Sequence, residues 1–195
     1  MIIKKFFREL LKILFTLIQY FPGATGVILR KVLIVNFFKK KGSKISLDKG
    51  VEITGFKNII IGNNVNFVRY SSINADDGKI EIGNNVNINY NTNINASNNG
   101  EIKIGNNVTI GQNCVIRASD HKYELKNVPI IDQGHSPGKI IIGENIWIGA
   151  NCVITKNVSI GSHSIINAGS IVTRDVEKNS IVGGNPAKIV SKKTW

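Results

Sequence analysis

Cysteine is scarce in this chain of 195 residues: only Cys114 and Cys152 occur, and no CxxC pair is present. Two isolated cysteines exclude a fold held together by a network of disulfide bonds. They also give no zinc-binding signature, because structural zinc sites usually draw their ligands from closely spaced pairs. No metal is therefore expected.

Acidic residues are also few, with 13 Asp or Glu against 25 Lys or Arg and a net charge of +12. The basic surplus is unevenly placed. Residues 1–44 contain ten basic residues and Glu9 as their single acid, which leaves a net charge of +3 for the rest of the chain. A nucleic-acid-binding domain carries a basic patch on its folded body. The charge distribution therefore indicates no nucleic-acid partner for the main part of the chain.

A long apolar run is missing as well. The uncharged stretch runs only from Ile13 to Leu29, and Pro22, Gly23 and Gly26 interrupt it. A membrane-spanning helix needs about 20 apolar residues, and charged residues interrupt the apolar region that a signal peptide needs. Residues 1–44 are instead predicted to form an N-terminal helical segment. It is either a cap on the following domain or on a neighbouring subunit, or a basic amphipathic segment that lies on an anionic membrane surface.

A six-residue repeat dominates the stretch at residues 140–172. A bulky aliphatic residue returns at every sixth position, at Ile142, Ile148, Ile154, Ile160, Ile166 and Val172. Neither the helix period of 3.6 residues nor the strand period of 2 produces this spacing. The pattern is typical of a β-solenoid, in which each hexad forms one short flat side and a corner. Three sides close one coil, so the structural period is predicted to be three hexads.

A recurring marker tests this period. The sequence IGNNV or IGENI returns four times, beginning at Ile61, Ile82, Ile104 and Ile142. The successive intervals exceed three hexads by three, four and twenty positions, and the aliphatic positions place each insertion at the third corner of its coil. We therefore predict a solenoid at residues 45–176 with a long loop at residues 121–139, followed by a short C-terminal tail at residues 177–195.

The two cysteines fit this repeat. Cys114 and Cys152 each occupy the small position four residues after the aliphatic residue of a hexad, on adjacent coils. Buried cysteines usually act as small hydrophobic residues in protein cores. We predict that the two thiols are stacked neighbours inside the solenoid and are not disulfide-bonded.

Residues 45–190 resemble the hexapeptide-repeat acyltransferases, which fold as left-handed parallel β-helices, and among them the sugar O-acetyltransferases of the maltose, galactoside and surface-polysaccharide kind. The resemblance rests on the repeats, on Asp120 and His121 at the start of the long loop, and on the segments IGENIWIGANCVI, INAGSIVTRDV and GGNPAKIV. It implies a mainly β protein that transfers acetyl from acetyl-CoA to a hydroxyl of a sugar or glycan, in a cell-surface polysaccharide or its precursor. It also implies a homotrimer with active sites between subunits. We expect a cytoplasmic location, at the inner face of the membrane if residues 1–44 contact lipid.

Acetyl transfer to a hydroxyl needs a base that takes the proton as the new bond forms, and a neutral histidine, with an ordinary pKa of about 6.5, suits this role. Three histidines compete. His163 lies at a solvent-facing position of a regular hexad, and His135 lies within the long loop, where a histidine is usually just solvated. His121 lies where a rigid coil opens into the loop, and it matches the catalytic histidine of the family. His121 is therefore the predicted base, with Asp120 either orienting it or serving only as a corner residue.

The resemblance also suggests residues for the acceptor and for coenzyme A. Asn89 matches an acceptor-binding position, and Asn91 competes with it, although asparagine also suits the turns of this chain. Trp147 lies between two inward isoleucines and must point outward, where a trimer partner or the substrate would cover it. The pantetheine arm is expected along the pairs Gly149-Ala150 and Ala168-Gly169, interpreted as equivalent positions one coil apart. Two basic residues match positions that meet the phosphates of coenzyme A, Arg174 and Lys188.

Other functions occur on the same scaffold. The acceptor could be an antibiotic or an amino-sugar nucleotide. A zinc hydrase on a β-helix would need three histidines that converge on one metal. A non-catalytic structural solenoid would leave the His121 loop and the GGNPAK segment without a purpose. The sequence contains no nucleophile elbow, so direct transfer is preferred to a covalent acyl-enzyme.

Overall fold

Two helices precede a parallel β-helix in the computed structural model of this chain, which describes residues 2–194. Helix α1 spans Ile2–Tyr20 and helix α2 spans Gly23–Leu33. Short 3₁₀ helices occur at Val35–Phe37, Phe56–Asn58 and Ile130–Asp132. The remaining elements are short strands. The predicted mainly β solenoid with an N-terminal helical segment is confirmed.

Most of the strands form three parallel sheets, which are the three faces of the solenoid. Face A consists of Lys40–Lys41, Ile59–Ile61, Lys79–Ile82, Glu101–Ile104, Lys139–Ile142 and Val158–Ile160. Face B consists of Ile45–Leu47, Val65–Phe67, Val86–Ile88, Thr109–Ile110, Trp147–Ile148, Ile165–Ile166 and Ser180–Gly183, with an antiparallel edge at Lys188–Lys192. Face C consists of Glu52–Thr54, Ser72–Asn74, Asn93–Asn95, Val115–Arg117, Val153–Ile154 and Ile171–Val172. Each full coil adds one strand to each face.

The strand register gives the length of each coil. Between the fifth and sixth coils, Ile140 pairs with Val158 and Ile148 pairs with Ile166, so the step equals the predicted three hexads. The three insertions all leave at the corner between faces C and A, as predicted. Two other departures were not predicted. The first step is two positions longer than three hexads, since Ile45 pairs with Val65, and the last is two positions shorter, since Ile160 bridges to Val176.

Asparagine turns the chain at the corner between faces A and B. Four asparagines there have φ between 53° and 58°, in the left-handed region that asparagine adopts more readily than most residues: Asn64, Asn85, Asn107 and Asn145. His163 occupies the same position in the sixth coil with φ of 65°, and its Nδ1 lies 2.9 Å from Nδ2 of Asn145. The His163 side chain is exposed. The prediction of a solvent-facing histidine in a regular hexad is confirmed.

The interior contains stacked columns of aliphatic side chains and both cysteines. Cys114 and Cys152 are fully buried and free. Their Sγ atoms lie 3.1 Å from the carbonyl oxygens of Gly149 and Asn167, respectively. A hydrogen bond with the Cys152 thiol, together with burial, raises the pKa of the Cys114 thiol. The prediction of neighbouring, unlinked thiols is confirmed.

This burial has a measurable consequence for thiol reactivity. We expect two free thiols per chain in denaturant and almost none accessible to a thiol reagent in the native protein, because Cys114 and Cys152 react only after local opening. A colorimetric thiol titration with and without denaturant measures both values. A count below two in denaturant would contradict the assignment.

The N-terminal helices pack against the first coil. Phe15 and Ile18 of α1 contact the hydrophobic core. Within α2, a Cβ on Gly26 would lie 2.0 Å from the carbonyl oxygen of Phe21, so no side chain fits between α2 and the turn that follows α1. The helices therefore form a cap on the first coil. No helix within residues 2–194 is long and apolar enough to cross a membrane.

Arg30 of α2 fastens this cap. Its side chain is 1% exposed. Its guanidinium donates hydrogen bonds of 2.8–3.2 Å to backbone carbonyls of Leu47, Ile18, Gln19 and Phe21. The last carbonyls of a helix lack donors within the helix and carry partial negative charge. One arginine thus joins the end of α1 to the first strand of face B.

Candidate active site

The long insertion folds back as a β-hairpin that brings two histidines together. Ser119–His121 and His135–Pro137 pair as antiparallel strands, with His121 opposite His135. The backbone N–H of Lys122 donates to the carbonyl of Gly134 at 3.0 Å. The two imidazole rings lie 4.1 Å apart between centroids, at an interplanar angle of 41°. His121 is exposed and His135 is half-buried.

The prediction that His135 is only a solvated residue of the loop was wrong. Its ring packs on the ring of His121 because the two stems of the insertion leave and re-enter the solenoid at the same corner. Such stems must run antiparallel, so residues near the two ends of the loop face each other. This argument was available from the insertion length. The hexad pattern alone does not supply it, since the pattern stops at residue 118.

Asp120 does not point toward His121. Its Oδ2 lies 3.6 Å from Nζ of Lys156, and the same Nζ donates to the carbonyl of Ser136 at 3.4 Å. Neighbouring residues of a strand project to opposite sides, which explains why Asp120 and His121 separate. His121 is therefore held by strand pairing and by the ring of His135. Lys156 was not among the residues predicted for the site.

The charges around the pair favour a neutral His135. Partial desolvation lowers the pKa of His135, and the positive charges of His121, Arg117 and Lys122 lower it further. A histidine with a pKa below its ordinary value is neutral at pH 7. Two adjacent imidazolium cations would also repel each other. At pH 7 the ring of His135 therefore presents no positive charge to His121.

The small residues predicted for the pantetheine arm lie at the corner between faces B and C. Ile148 pairs with Ile166, and the same register two residues further along places Ala150 beside Ala168. The N–H of Gly169 donates a hydrogen bond of 2.8 Å to the carbonyl of Ala150. A Cβ on Gly149 would lie 2.5 Å from the backbone nitrogen of Ala168, so no side chain fits there. We call Ala150 and Ala168 with their backbone the small-residue track.

One detail of that prediction needs correction. Gly149 and Gly169 are not equivalent across the coils, because the register places Gly149 opposite Asn167 and Gly169 opposite Asn151. The prediction that Gly149-Ala150 and Ala168-Gly169 occupy equivalent positions was therefore wrong by one residue. Of these four residues, only Ala150 and Ala168 stack on each other. The reason is that Gly169, with φ of 73°, occupies the turn position of its corner.

The two basic residues lie at different corners. Lys188 begins the antiparallel edge strand opposite Gly183, and the N–H of the preceding Ala187 donates to the carbonyl of Ile171 at 2.8 Å. This places Lys188 beyond Ala168, on the edge strand that follows Ser180–Gly183 in face B, at the end of the small-residue track. Arg174 precedes Val176, which bridges to Ile160 on face A. Arg174 therefore lies at the corner between faces C and A, on the side of His121.

The asparagines and the tryptophan occupy other positions. Asn89 donates from Nδ2 to the carbonyl of Ile110 at 3.0 Å, while Asn91 takes φ of 53° and donates to Oδ1 of Asn113 at 3.1 Å. Both lie at the corner between faces B and C, two coils before Ala150, and both make structural hydrogen bonds. Trp147 points outward from face B and is 56% exposed, as predicted.

His121 and the small-residue track do not meet within one chain. Face C lies between their corners. In the fourth coil, five residue steps separate Gln112, which lies beside the track, from Arg117 near the loop, a span of roughly 16 Å for extended strands.

The three histidines do not converge. His163 lies at the corner between faces A and B, away from the pair formed by His121 and His135. Within the described part of the chain, no group of three or more His, Cys, Asp or Glu side chains is arranged to hold a metal ion.

Comparisons with known proteins agree with this architecture. The profile of the bacterial transferase hexapeptide (six repeats) family matches residues 139–174, and that of the hexapeptide repeat of succinyl-transferase matches residues 101–118. Serine acetyltransferase 2 of Arabidopsis thaliana is 49% identical over 37 residues, which cover 19% of this chain and 12% of that protein. The chain thus matches its curated relatives over about a fifth of their length or less, 21% for a relative in Saccharomyces cerevisiae.

Solved structures share the fold over most of the chain. A galactoside acetyltransferase in complex with coenzyme A is 27% identical, with a TM-score of 0.67, and the alignment covers 93% of this chain and 78% of that one. A maltose O-acetyltransferase from Clostridium difficile 630 is 24% identical, with a TM-score of 0.66 and coverage of 96% and 87%. AntD, an N-acyltransferase from Bacillus cereus, is 21% identical, with a TM-score of 0.74 and coverage of 85% and 89%.

The fold and the repeats define a class, the parallel β-helix proteins built from hexapeptide repeats. Within that class, residues 101–118 and 139–174 match hexapeptide-repeat transferase families, and the fold is similar to that of the galactoside acetyltransferase.

Proposed function

We propose that this protein transfers an acetyl group from acetyl-CoA to a hydroxyl of a sugar, with His121 as the general base. The observation that carries the proposal is the exposed imidazole of His121, held in the hairpin where the insertion leaves the solenoid, beside the neutral ring of His135. The galactoside acetyltransferase, a structural relative, is solved in complex with coenzyme A. A small-residue track that ends at Lys188 offers a path for the same cosubstrate.

The proposed reaction is one direct displacement at the thioester. The acceptor hydroxyl oxygen attacks the carbonyl carbon of acetyl-CoA while Nδ1 or Nε2 of His121 takes the hydroxyl proton. The C–S bond then breaks, the CoA thiolate leaves, and the imidazolium of His121 returns the proton to the sulfur. General base catalysis of this kind contributes typically about 10²–10⁴-fold to the rate. Because His135 stays neutral, His121 gains its positive charge beside an uncharged ring.

We also propose a homotrimer with active sites between subunits. The support is the separation of His121 from the small-residue track by the width of face C. A neighbouring chain that presents its own track to the His121 corner would complete the site. The outward Trp147 is a further apolar group that a subunit contact or a substrate would cover.

Complementation tests this arrangement. The variants His121→Ala and Ala168→Trp are each expected to be inactive, since one lacks the base and the other blocks the track. Trimers that contain both kinds of chain, purified by two different tags, should recover about a third of wild-type activity, because one site of three then combines an intact base with an intact track. Mixed trimers without activity would place both elements of the site in the same chain.

For the acceptor, we propose a sugar of a cell-surface polysaccharide or its precursor. The second candidate is an amino-sugar nucleotide, because AntD, an N-acyltransferase of similar fold, is solved with dTDP-4-amino-4,6-dideoxyglucose. The test is release of free CoA thiol from acetyl-CoA with a panel of free sugars, nucleotide sugars and lipid-linked glycans. An alkali-labile O-acetyl product supports the first candidate, and a stable N-acetyl product supports the second. No acceptor-dependent release with any hydroxyl or amine would reject acetyl transfer.

A further inference from the structure

Helix α1 has an apolar side that stays exposed in the described part of the chain. Phe15 and Ile18 pack on the core, but seven other large apolar side chains of α1 and its end are between 41% and 69% exposed: Phe6, Leu10, Ile13, Leu14, Leu17, Tyr20 and Phe21. At 3.6 residues per turn, these seven fall within an arc of about 120° on one side of the helix. We call them the outer face of α1.

This surface is too apolar for an ordinary solvent-exposed helix. Soluble monomers rarely expose contiguous apolar patches of more than a few hundred Å², and larger ones mark a contact with a protein or a membrane. A narrow polar strip with Glu9, Lys12 and Thr16, all exposed, runs beside the outer face. Such a helix can lie in the plane of a membrane–water interface, with its apolar side in the membrane and its polar side in water.

The charges of residues 1–44 favour a negative partner. Residues 1–44 contain ten basic residues and Glu9 as the only acid. Beside the exposed Val32 of α2, a pocket is lined by three lysines and by neutral residues, without a carboxylate: Lys31, Val32, Val35, Asn36, Lys41, Gly42, Ser43, Lys44 and Ile45. Two copies of this segment would repel each other, whereas a bilayer with anionic lipids attracts it.

We propose that the outer face of α1 docks on an anionic membrane surface. Its apolar side chains enter the boundary between headgroups and acyl chains, and the pocket formed by Lys31, Lys41 and Lys44 receives a lipid phosphate. The helix lies on the membrane and does not cross it. The proposal is independent of the proposed acetyl transfer, because it uses residues outside the candidate active site. Together, the two proposals place the enzyme where lipid-linked glycans are found.

Vesicle sedimentation with the full-length protein tests the docking. We expect binding to phosphatidylcholine vesicles that contain about 30% phosphatidylglycerol, weaker binding to phosphatidylcholine alone, and a decrease as salt is raised. The variant Leu14→Gln/Leu17→Gln should lower the partition coefficient by about tenfold or more. The matched control is Ile189→Gln/Val190→Gln in the last strand of the solenoid, where exposures of 54% and 63% match the 52% and 62% of Leu14 and Leu17. This control should bind vesicles like the wild type.

A second variant covers the case in which the leucine variant does not fold. Lys31→Gln/Lys44→Gln changes two exposed side chains and should reduce both the binding to anionic vesicles and its salt dependence. Light scattering of each variant reports its oligomeric state. The proposal is overturned if wild-type protein does not sediment with anionic vesicles. It is also overturned if the leucine variant binds vesicles normally but loses oligomeric mass, because the outer face would then be a contact between copies.

Discussion

Replacing His121 by alanine is expected to lower the turnover number for acetyl transfer by about 10²–10⁴-fold, the usual contribution of a general base. The KM for acetyl-CoA should change little, because the small-residue track lies at another corner of the solenoid. His121 is exposed, so the variant should fold normally. Steady-state kinetics with the acceptor found in the panel assay measure both values, and thermal unfolding checks the fold.

Variants of the two other histidines sharpen this result. His163→Ala is the control, since His163 lies at a different corner beside Asn145, and it should retain wild-type turnover. His135→Ala removes the ring that packs on His121 and should lower turnover by a smaller factor, whereas His135→Phe, which keeps a ring, should lose less. Near-wild-type turnover of the His121→Ala variant would contradict the proposed mechanism. Equal losses for His135→Ala and His135→Phe would show that packing on His121 is not what matters.

Replacing Arg30 by alanine is expected to destabilise the N-terminal cap by about 3 kcal/mol, because it removes the guanidinium donor from four buried or partly buried carbonyls. The carbonyls of Ile18 and Gln19 each keep one other donor, the N–H groups of Phe21 and Gly50. Burial lowers the pKa of Arg30 and the charge of Asp48 raises it, yet a guanidinium stays charged in proteins. Lysine at position 30 keeps the charge but has no planar fork, so Arg30→Lys should recover only part of the loss.

The measurement needs to separate the cap from the solenoid. Limited proteolysis between α1 and the first coil reports local undocking, and denaturant unfolding reports the free energy of the whole chain. The neighbouring Lys31 is exposed, and Lys31→Ala should change stability by no more than about 0.5 kcal/mol. If Arg30→Ala is cleaved no faster than Lys31→Ala, the carbonyls find other donors and Arg30 is not what holds the cap.

Much of the solenoid is readable from the sequence because its geometry repeats. Each coil must place aliphatic residues inside and turn at fixed corners, so residues such as Ile142, Ile148 and Ile154 mark the faces directly. The same logic located the insertions, the stacked cysteines and the outward Trp147. Even here, Gly169 was matched to the wrong position, since small residues occur both along the track and at the turns.

The candidate site can be predicted from the sequence only in part. His121 stands out because it lies where the repeat stops. His135, Lys156 and Arg30 do not stand out, since their partners His121, Asp120 and Leu47 are distant in sequence and no period connects them. A lysine or arginine in a basic chain looks solvated until the fold shows a carboxylate or a set of carbonyls beside it.

By itself, the sequence determined the parallel β-helix, its corners and the position of the candidate base, because a six-residue period has one structural solution. Only the tertiary structure decided that His135 packs on His121, that Asp120 turns to Lys156, and that Arg30 holds α1 to the first coil. These contacts come from chain reversals and from packing between unlike elements. They depend on distances that no repeat in the sequence records.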